Sequence, residues 1–268
     1  MTSVPLALTI AGSEATGGAG AQADLRTFAA LDVFGIVALT CIVSFDPQAD
    51  WEHRFVPVEP QVISDQLEAI TSAYAPDQLP TVKIGMLGTP ATIETVAGVL
   101  QQRQFRQVVL DPVLICKGQE PGAALDTDTA LKAQILPLAT FVTPNHFEAE
   151  SLSGMTITSV EELTEAARRI HETSGAVVLA KGGVHLPGDE AIDVFYDGTT
   201  TELLAAPKVG DVAVAGAGCT LAAAVTARLA HGDSPLEAAR AAKEFVTAGI
   251  RARLASQAPF DVVCQQAV

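Results

Sequence analysis

LALTIAGSEATGGAGAQADLRTFAALDVFGIVALTCIVSF (Leu6–Phe45) decides the fold. Leu6 to Ala11 is a short apolar run that ends in Gly12-Ser13 and reads as a buried strand. Ser13 to Gly20 is a loop of small residues. From Ala21 to Leu31 the apolar residues Leu25, Phe28, Ala29 and Leu31 recur at helical spacing. Ile36 to Phe45 is a second apolar run, β-rich through Ile36, Val37, Ile42 and Val43. Strand, helix, strand is the unit that builds a parallel sheet, because parallel neighbours need a crossover between them.

The same grammar continues outward. Asp46 to Val58 is polar and irregular, an excursion or flap at the sheet edge that carries Trp51 and His53. Pro60 to Ala73 is an amphipathic helix through Val62, Ile63, Leu67 and Ile70. Val82 to Leu87 is a strand entering Gly88, with Thr89-Pro90 as N-cap and first helical residue. Val108 to Asp111 is a strand. Asp126 is expected to cap a helix that ends near Leu136. Thr140 to Thr143 is a strand stopped by Pro144, and Asn145 to Ser153 is a short helix. Ser159 with Glu162 opens a helix that Gly175 ends. Val177 to Lys181 is a strand. Ile192 to Tyr196 and Thr201 to Leu204 flank Asp197-Gly198, a hairpin signal. Ser234, Pro235 and Glu237 start a last helix to about Leu254. The pattern predicts a doubly wound α/β sheet in one domain over residues 1–268.

The composition bounds the partners. At 268 residues and 49% hydrophobic content, the chain buries a full core without staples. Cysteines 41, 116, 219 and 264 share no CxxC or zinc spacing, so they read as reduced thiols of a cytoplasmic protein. The first basic residue is Arg26, which argues against a secretory signal, and no apolar stretch has the length of a membrane span. A formal net charge of −15 repels phosphate backbones and excludes nucleic acid as a partner. An anionic substrate then needs local cations, for which Lys117, Lys181, Lys208 and Lys243 are the candidates.

AVAGAGCTLAAAVTARLA (Ala213–Ala230) is the stretch best suited to chemistry. Gly216-Ala217-Gly218 lets the backbone turn tightly and approach a ligand. A helix follows, closed by His231-Gly232. Its first N–H groups and its macrodipole favour an anion. The same position lowers the pKa of a thiol, so Cys219 is expected to be partly thiolate near neutral pH. The plainer alternative is a small-residue helix packed close to a sheet, with Cys219 as a buried hydrophobe.

Gly18-Ala19-Gly20-Ala21-Gln22-Ala23 matches a GxGxxA dinucleotide fingerprint, with Asp46 near the place of a ribose-binding acid. In that motif the first glycine follows its strand directly, whereas here Ser13 to Gly17 intervene. Asp111 closes a strand, where open α/β sheets place ligand-binding side chains. Asn145 and Glu148, on one helical turn, suit the water shell of Mg²⁺, or Asn145 only caps its helix. Lys181, followed by two glycines, reaches toward a phosphate or is a solvated strand end. Cys116 and Lys117 lie in a Gly-bearing loop that would close over a substrate, or Cys116 is incidental. The five histidines show no metal spacing and read as ordinary. Together these parts describe phosphoryl transfer, in which phosphate charge is buried, Mg²⁺ positioned and an alcohol activated.

LTIAGSEATGGAGAQADLRTF (Leu8–Phe28), VKIGMLG (Val82–Gly88), VLDPVLICKG (Val109–Gly118), VTPNHFEAE (Val142–Glu150), LAKGG (Leu179–Gly183) and GAGCT (Gly216–Thr220) resemble, in order, the ribokinase superfamily. The branch is that of hydroxymethylpyrimidine/phosphomethylpyrimidine kinases and their pyridoxal kinase relatives. The resemblance implies a ribokinase-like three-layer α/β/α fold with a central, mostly parallel sheet. It implies ATP and Mg²⁺ as cofactors and a ring hydroxymethyl group as acceptor. Gly216, Ala217 and Gly218 would form the anion hole, beside Cys219. Asp111 and Glu148 would serve the metal. Asn145, Lys181, Lys208 and Lys243 would serve ATP. Gly12, Asp24, Ile42, Met86 and Val113 would surround the acceptor ring, under a lid carrying Cys116. Homodimers are common in the family.

Two positions sort the branch. Pyrimidine kinases usually read ALTAQNT in the second strand, where this chain reads ALTCIVS (Ala38–Ser44), so Ile42 replaces a hydrogen-bonding Gln. ICKG (Ile115–Gly118) is similar to the dual-cysteine pyridoxal kinases of Gram-positive bacteria, in which the thiol at the Cys219 position can add to the pyridoxal aldehyde. Those kinases usually read NHGAGC, whereas Val214-Ala215 precede Gly216 here. The expected activity is pyridoxal/pyridoxine phosphorylation. Pyrimidine kinase activity and a non-catalytic vitamin binder are the alternatives.

Overall fold

The structure, a computed structural model, describes residues 4–114 and 121–267. Strand β1 (Leu6–Glu14), helix α1 (Gly20–Ala30) and strand β2 (Phe34–Asp46) form the opening crossover, with β1 and β2 parallel as the sequence predicts. There follow β3 (Glu52–Pro57), α2 (Pro60–Ala73), β4 (Thr81–Ile84), α3 (Pro90–Arg103), β5 (Gln107–Leu110) and α4 (Pro121–Gln134). The second half adds β6 (Phe141–Val142), α5 (His146–Ser153), α6 (Val160–Ser174), β7 (Val177–Lys181), β8 (Glu190–Tyr196), β9 (Thr201–Pro207), α7 (Ala217–His231) and α8 (Pro235–Arg251). Among the described residues the strands form one sheet in the order β3-β2-β1-β4-β5-β6-β7-β8-β9. The six strands from β2 to β7 in that order are parallel, and antiparallel β3, β8 and β9 finish the edges.

Central strands buried on both faces explain the continuous apolar runs. Leu8 and Ile10 of β1 meet a core that includes Ile63 of α2, Ile93 of α3 and Leu163 of α6. Ala7, next to Leu8 and on the opposite face of the strand, turns to Phe28 of α1 and Ala223 of α7. Val109 of β5 and Leu179 of β7 face Leu221 of α7 and Phe245 of α8. Helices therefore cover both faces, in three layers. α7 lies against α1, α8 and the sheet, so every residue from Thr220 to Ala227 is buried and small side chains let the elements approach.

The helix ends follow local rules. Thr89 Oγ1 accepts the Thr92 N–H at 3.1 Å, and Ser234 with Glu237 forms a reciprocal capping box. Two expectations fail. Asp126 lies inside α4, whose helix begins at Pro121, and so caps nothing. Asp46 to Val58 is not irregular throughout. It contains β3, paired with Cys41 to Asp46 of β2. The sequence of this edge strand, Glu-His-Arg-Phe-Val-Pro, does not alternate polar and apolar residues and so carries no strand signal.

Beneath the strand ends lies a fully buried ion pair. Lys83 Nζ donates to Asp24 Oδ2 at 2.9 Å, and Thr9 Oγ1 donates to the same oxygen at 2.6 Å. Burial alone favours loss of the lysine proton. Asp24, with Cys219 and Asp111 further off, more than offsets this and holds Lys83 above the usual lysine range. Lys83→Met leaves Asp24 buried and unpaired, at an expected cost of about 3–5 kcal/mol in urea denaturation. Adding Asp24→Leu should restore much of that loss. A single variant as stable as wild type would count against a charged pair.

Candidate active site

In β2-β1-β4-β5 the chain reverses its direction of travel between β1 and β4, and open α/β sheets bind ligands at the carboxyl side of such a switch point. A cleft of about 600 Å³ lies at the strand carboxyl ends. Met86 follows β4, Asp111 and Val113 follow β5, Asn145 and Glu148 follow β6, and Lys181 ends β7. Opposite them stands the start of α7, from Gly216 to Cys219.

Gly216 adopts φ +80°, a conformation that favours glycine, and its carbonyl accepts the Thr220 N–H at 2.8 Å. The Ala217 N–H donates to the Val214 carbonyl at 3.2 Å, while Gly218 and Cys219, in the first turn of the helix, have no helical carbonyl upstream to bond. A Cβ at Gly218 would lie 3.4 Å from Lys181 Nζ and 3.9 Å from both carboxylate oxygens of Asp111. Lys181 Nζ donates to Asp111 Oδ1 at 3.1 Å. The sequence thus identifies four residues, 111, 181, 216 and 218, that the fold brings together from three separate elements.

Asn145 and Glu148 form a capping box. Asn145 Oδ1 accepts the Glu148 N–H at 2.9 Å, and Glu148 Oε2 accepts the Asn145 N–H at 2.7 Å. Capping and cleft lining are both true of this pair. Burial raises the Glu148 carboxyl to about 8, Lys181 opposes this and Asp111 adds to it. Burial also opposes ionisation of Asp111, but Lys181 and Lys83 outweigh it and hold Asp111 below the usual carboxylate range. A carboxyl raised by burial and a like charge suits a hard dication. No group of three or more metal-type side chains lies together among the described residues. Mg²⁺ tolerates that, since it keeps waters and takes substrate phosphates as ligands.

Cys219 corrects an expectation. Burial pushes its thiol up to about 11, although Lys83 and the Gly20 N–H pull it down. Near neutral pH it is a thiol, not a partial thiolate. Desolvation outweighs the helix start.

The dinucleotide fingerprint also resolves. The N–H groups of Thr16, Gly18 and Ala19, with the Thr16 hydroxyl, all donate to the Glu14 carboxylate at 2.6–3.1 Å. The loop closes on the chain's own anion, so its amides are not available to a pyrophosphate.

The family described as phosphomethylpyrimidine kinase matches residues 14–261. The chain belongs to the phosphomethylpyrimidine kinase family. It is 45% identical to the pyridoxine kinase of Bacillus subtilis over 246 residues, 91% of this chain and 90% of that one. The ADP complex of Bacillus subtilis pyridoxal kinase superposes with a TM-score of 0.92 at 43% identity, covering 99% of this chain and 98% of the other. Staphylococcus aureus pyridoxal kinase in complex with AMP-PCP and pyridoxal gives 0.90 at 38% identity, covering 99% and 94%. The fold is the ribokinase-like one that the motifs imply.

In this kinase-family cleft the other expected residues fall unevenly. Met86 and Val113 line it, whereas Gly12, Asp24 and Ile42 are not among its lining residues. Asp24 is held below by Lys83 and Thr9. Gly12 packs on Cys41, and Ile42 lies in β2 between Ser13 and Val56. Lys208 and Lys243 line the cleft with their charges engaged. Lys243 Nζ donates to buried Asp193 at 2.8 Å, and Lys208 Nζ donates to the Leu186 carbonyl at 2.5 Å. Both amino groups tie cleft walls together. Cys116 lies outside the described residues. Sequence reasoning missed His53, His146 and His185 as cleft residues, the last two with ring centroids 5.2 Å apart. Their spacing signals no ligation, and only the fold gathers them.

Proposed function

We propose that this chain, acting as one domain over residues 1–268, is an ATP-dependent kinase for the 5-hydroxymethyl group of pyridoxal, pyridoxine and pyridoxamine. One observation carries the reading. The 216–218 loop, Cys219 and the Lys181–Asp111 pair meet in one cleft, in a chain 45% identical to a pyridoxine kinase. Cys219 in this cleft and the 45% identity to a pyridoxine kinase favour the vitamin B6 ring over a pyrimidine; Ile42, at the position where pyrimidine kinases usually carry a Gln, lies outside the cleft lining.

The transferred phosphoryl group would sit over the N–H groups of Gly218 and Cys219, with Lys181 beside Gly218 meeting its negative charge. Mg²⁺, when bound, would neutralise phosphate charge, and Asp111 and Glu148 are the residues that would hold it. Positioning and charge neutralisation carry most phosphoryl transfers, so a strong base is not required. A Cys219 thiol near 11 agrees with that. Ala215 gives its backbone rather than a side chain. Its N–H donates to the Asp261 carbonyl and its carbonyl accepts from the Val263 N–H. A histidine at that position is therefore not needed to hold the loop.

The test is ATP consumption by purified protein with Mg²⁺, offered pyridoxal, pyridoxine and hydroxymethylpyrimidine side by side. Preferred turnover of pyridoxal is expected. Pyrimidine preference would install the second reading, which the name of the matching family favours. Binding without ATP consumption would make the chain a non-catalytic vitamin binder. The same reading holds that the protein is a cytoplasmic homodimer, to be checked by sedimentation. Among the described residues no helix is long and apolar enough to cross a membrane, and Cys41, Cys219 and Cys264 are free thiols.

A further inference from the structure

The segment after α8 grips the anion loop on both flanks. Upstream of Gly216, Ala215 exchanges backbone hydrogen bonds with Asp261 and Val263 at 3.0 and 3.1 Å. Downstream, Gln265 Nε2 donates to Thr220 Oγ1 at 2.9 Å, and Thr220 directly follows Cys219. The other end of the same amide accepts from Arg26 Nε of α1 at 3.0 Å. Arg26 also donates through a terminal nitrogen to the Gly17 carbonyl. That carbonyl belongs to the loop whose Gly18 oxygen abuts Gly216.

Gln265 is 1% exposed, and Val263 is 2% exposed. A Cβ at Gly18 would lie 2.6 Å from Val262 Cγ1, so the segment also presses on the Glu14 loop. Phe260 packs near the β2–β3 edge, with its ring 5.3 Å from Phe45 and 6.1 Å from Trp51. A buried primary amide with both ends engaged is a costly thing to keep unless its geometry matters, because losing either partner orphans the other.

We propose that Gln265 is a positioning residue for phosphoryl transfer, fixing the first turn of α7, and with it the anion hole, through the Thr220 hydroxyl. The proposal rests on the kinase reading for its kinetics and on the Cys219 environment for an independent readout. Gln265 touches neither nucleotide nor acceptor in this scheme. Its loss should therefore lower kcat and leave KM for the acceptor nearly unchanged, since the hydrogen bonds that matter tighten in the transition state.

Gln265→Leu, Thr220→Val and the double variant are compared with wild type. Each single variant is expected to lower kcat about tenfold with KM within about twofold, and the double variant to be no worse than the poorer single one. Thr220→Ser keeps the hydroxyl and should retain wild-type kcat. In parallel, iodoacetamide labelling of Cys219 is followed by peptide mass spectrometry, with Cys41 and Cys264 as internal references. Release of the first turn of α7 should speed labelling of Cys219 about fivefold in both single variants, since access and local solvation set thiol reactivity. An unchanged labelling rate, or a kcat loss shared by Thr220→Ser, overturns the proposal. Should Gln265→Leu fail to fold, Thr220→Val decides alone. A wild-type protein that turns over no acceptor sinks the kinase reading, and the labelling experiment still decides this one.

Discussion

Gly216→Ala is expected to lower kcat by about 10³-fold and to destabilise the protein by roughly 2–4 kcal/mol. Two costs add. The backbone there has φ +80°, where a Cβ costs about 1–2 kcal/mol. The added atom would also stand 1.9 Å from the Gly18 carbonyl oxygen, which is backbone and cannot rotate away. Gly18 cannot retreat easily, because its N–H is bound to Glu14 at 2.8 Å. The start of α7 must therefore shift relative to Lys181 and Asp111. Displacing donors from the path of the phosphoryl group by about 1 Å is enough for a large loss in rate. Steady-state kinetics and urea denaturation measure the two effects separately. A variant with kcat close to wild type would show that the 216–218 loop does not hold the phosphoryl group.

Glu148→Gln is expected to act in opposite directions on stability and on catalysis. Burial raises the Glu148 carboxyl from 4.5 to about 8. Between those values the unfolded chain has released this proton and the ligand-free native protein still holds it. Stability contributed by the group is thus complete below about 4.5 and is lost as pH rises toward 8, by a few kcal/mol in all at about 1.4 kcal/mol per unit. Gln mimics the protonated acid, and its amide oxygen still caps the Asn145 N–H. The ligand-free variant should be more stable than wild type at pH 8 and nearly equal at pH 5. Its kcat should nevertheless fall about 10²–10³-fold, because a neutral amide serves a dication and its water shell poorly. Urea titrations at the two pH values, with kinetics, check both signs. A variant destabilised equally at both would mean that Glu148 is ionised in the ligand-free fold.

The parallel sheet was legible because its central strands are apolar on both faces and its helices begin at Thr89, Ser159 and Ser234. β3 was not, since residues 52–57 do not alternate between polar and apolar types. That Asp111, Asn145, Glu148, Lys181 and residues 216–218 gather at one place was legible from their positions at strand ends and at a helix start. What lay beyond the sequence was partnership. Lys243 looks free until Asp193, fifty positions away, is seen to hold it. Cys219 looks activated by its helix until burial is weighed against the dipole, and local sequence does not report burial. The Glu14 loop mimics a cofactor motif because the pattern records glycines, not who occupies their amides. Gln265 carries no motif at all.

The contact between Arg26 and Gln265 joins residues 239 positions apart. On the ribosome this fixes an order of events. β1, α1 and β2 can pair soon after they emerge, whereas the loop at Gly216 has no flanking support until residue 265 is also out of the exit tunnel. A nascent chain arrested near the end of α8 has its whole sheet available and an unsupported loop at Gly216. The surroundings of Gly216 are then finished only after the sheet, once residues 261–265 have joined it.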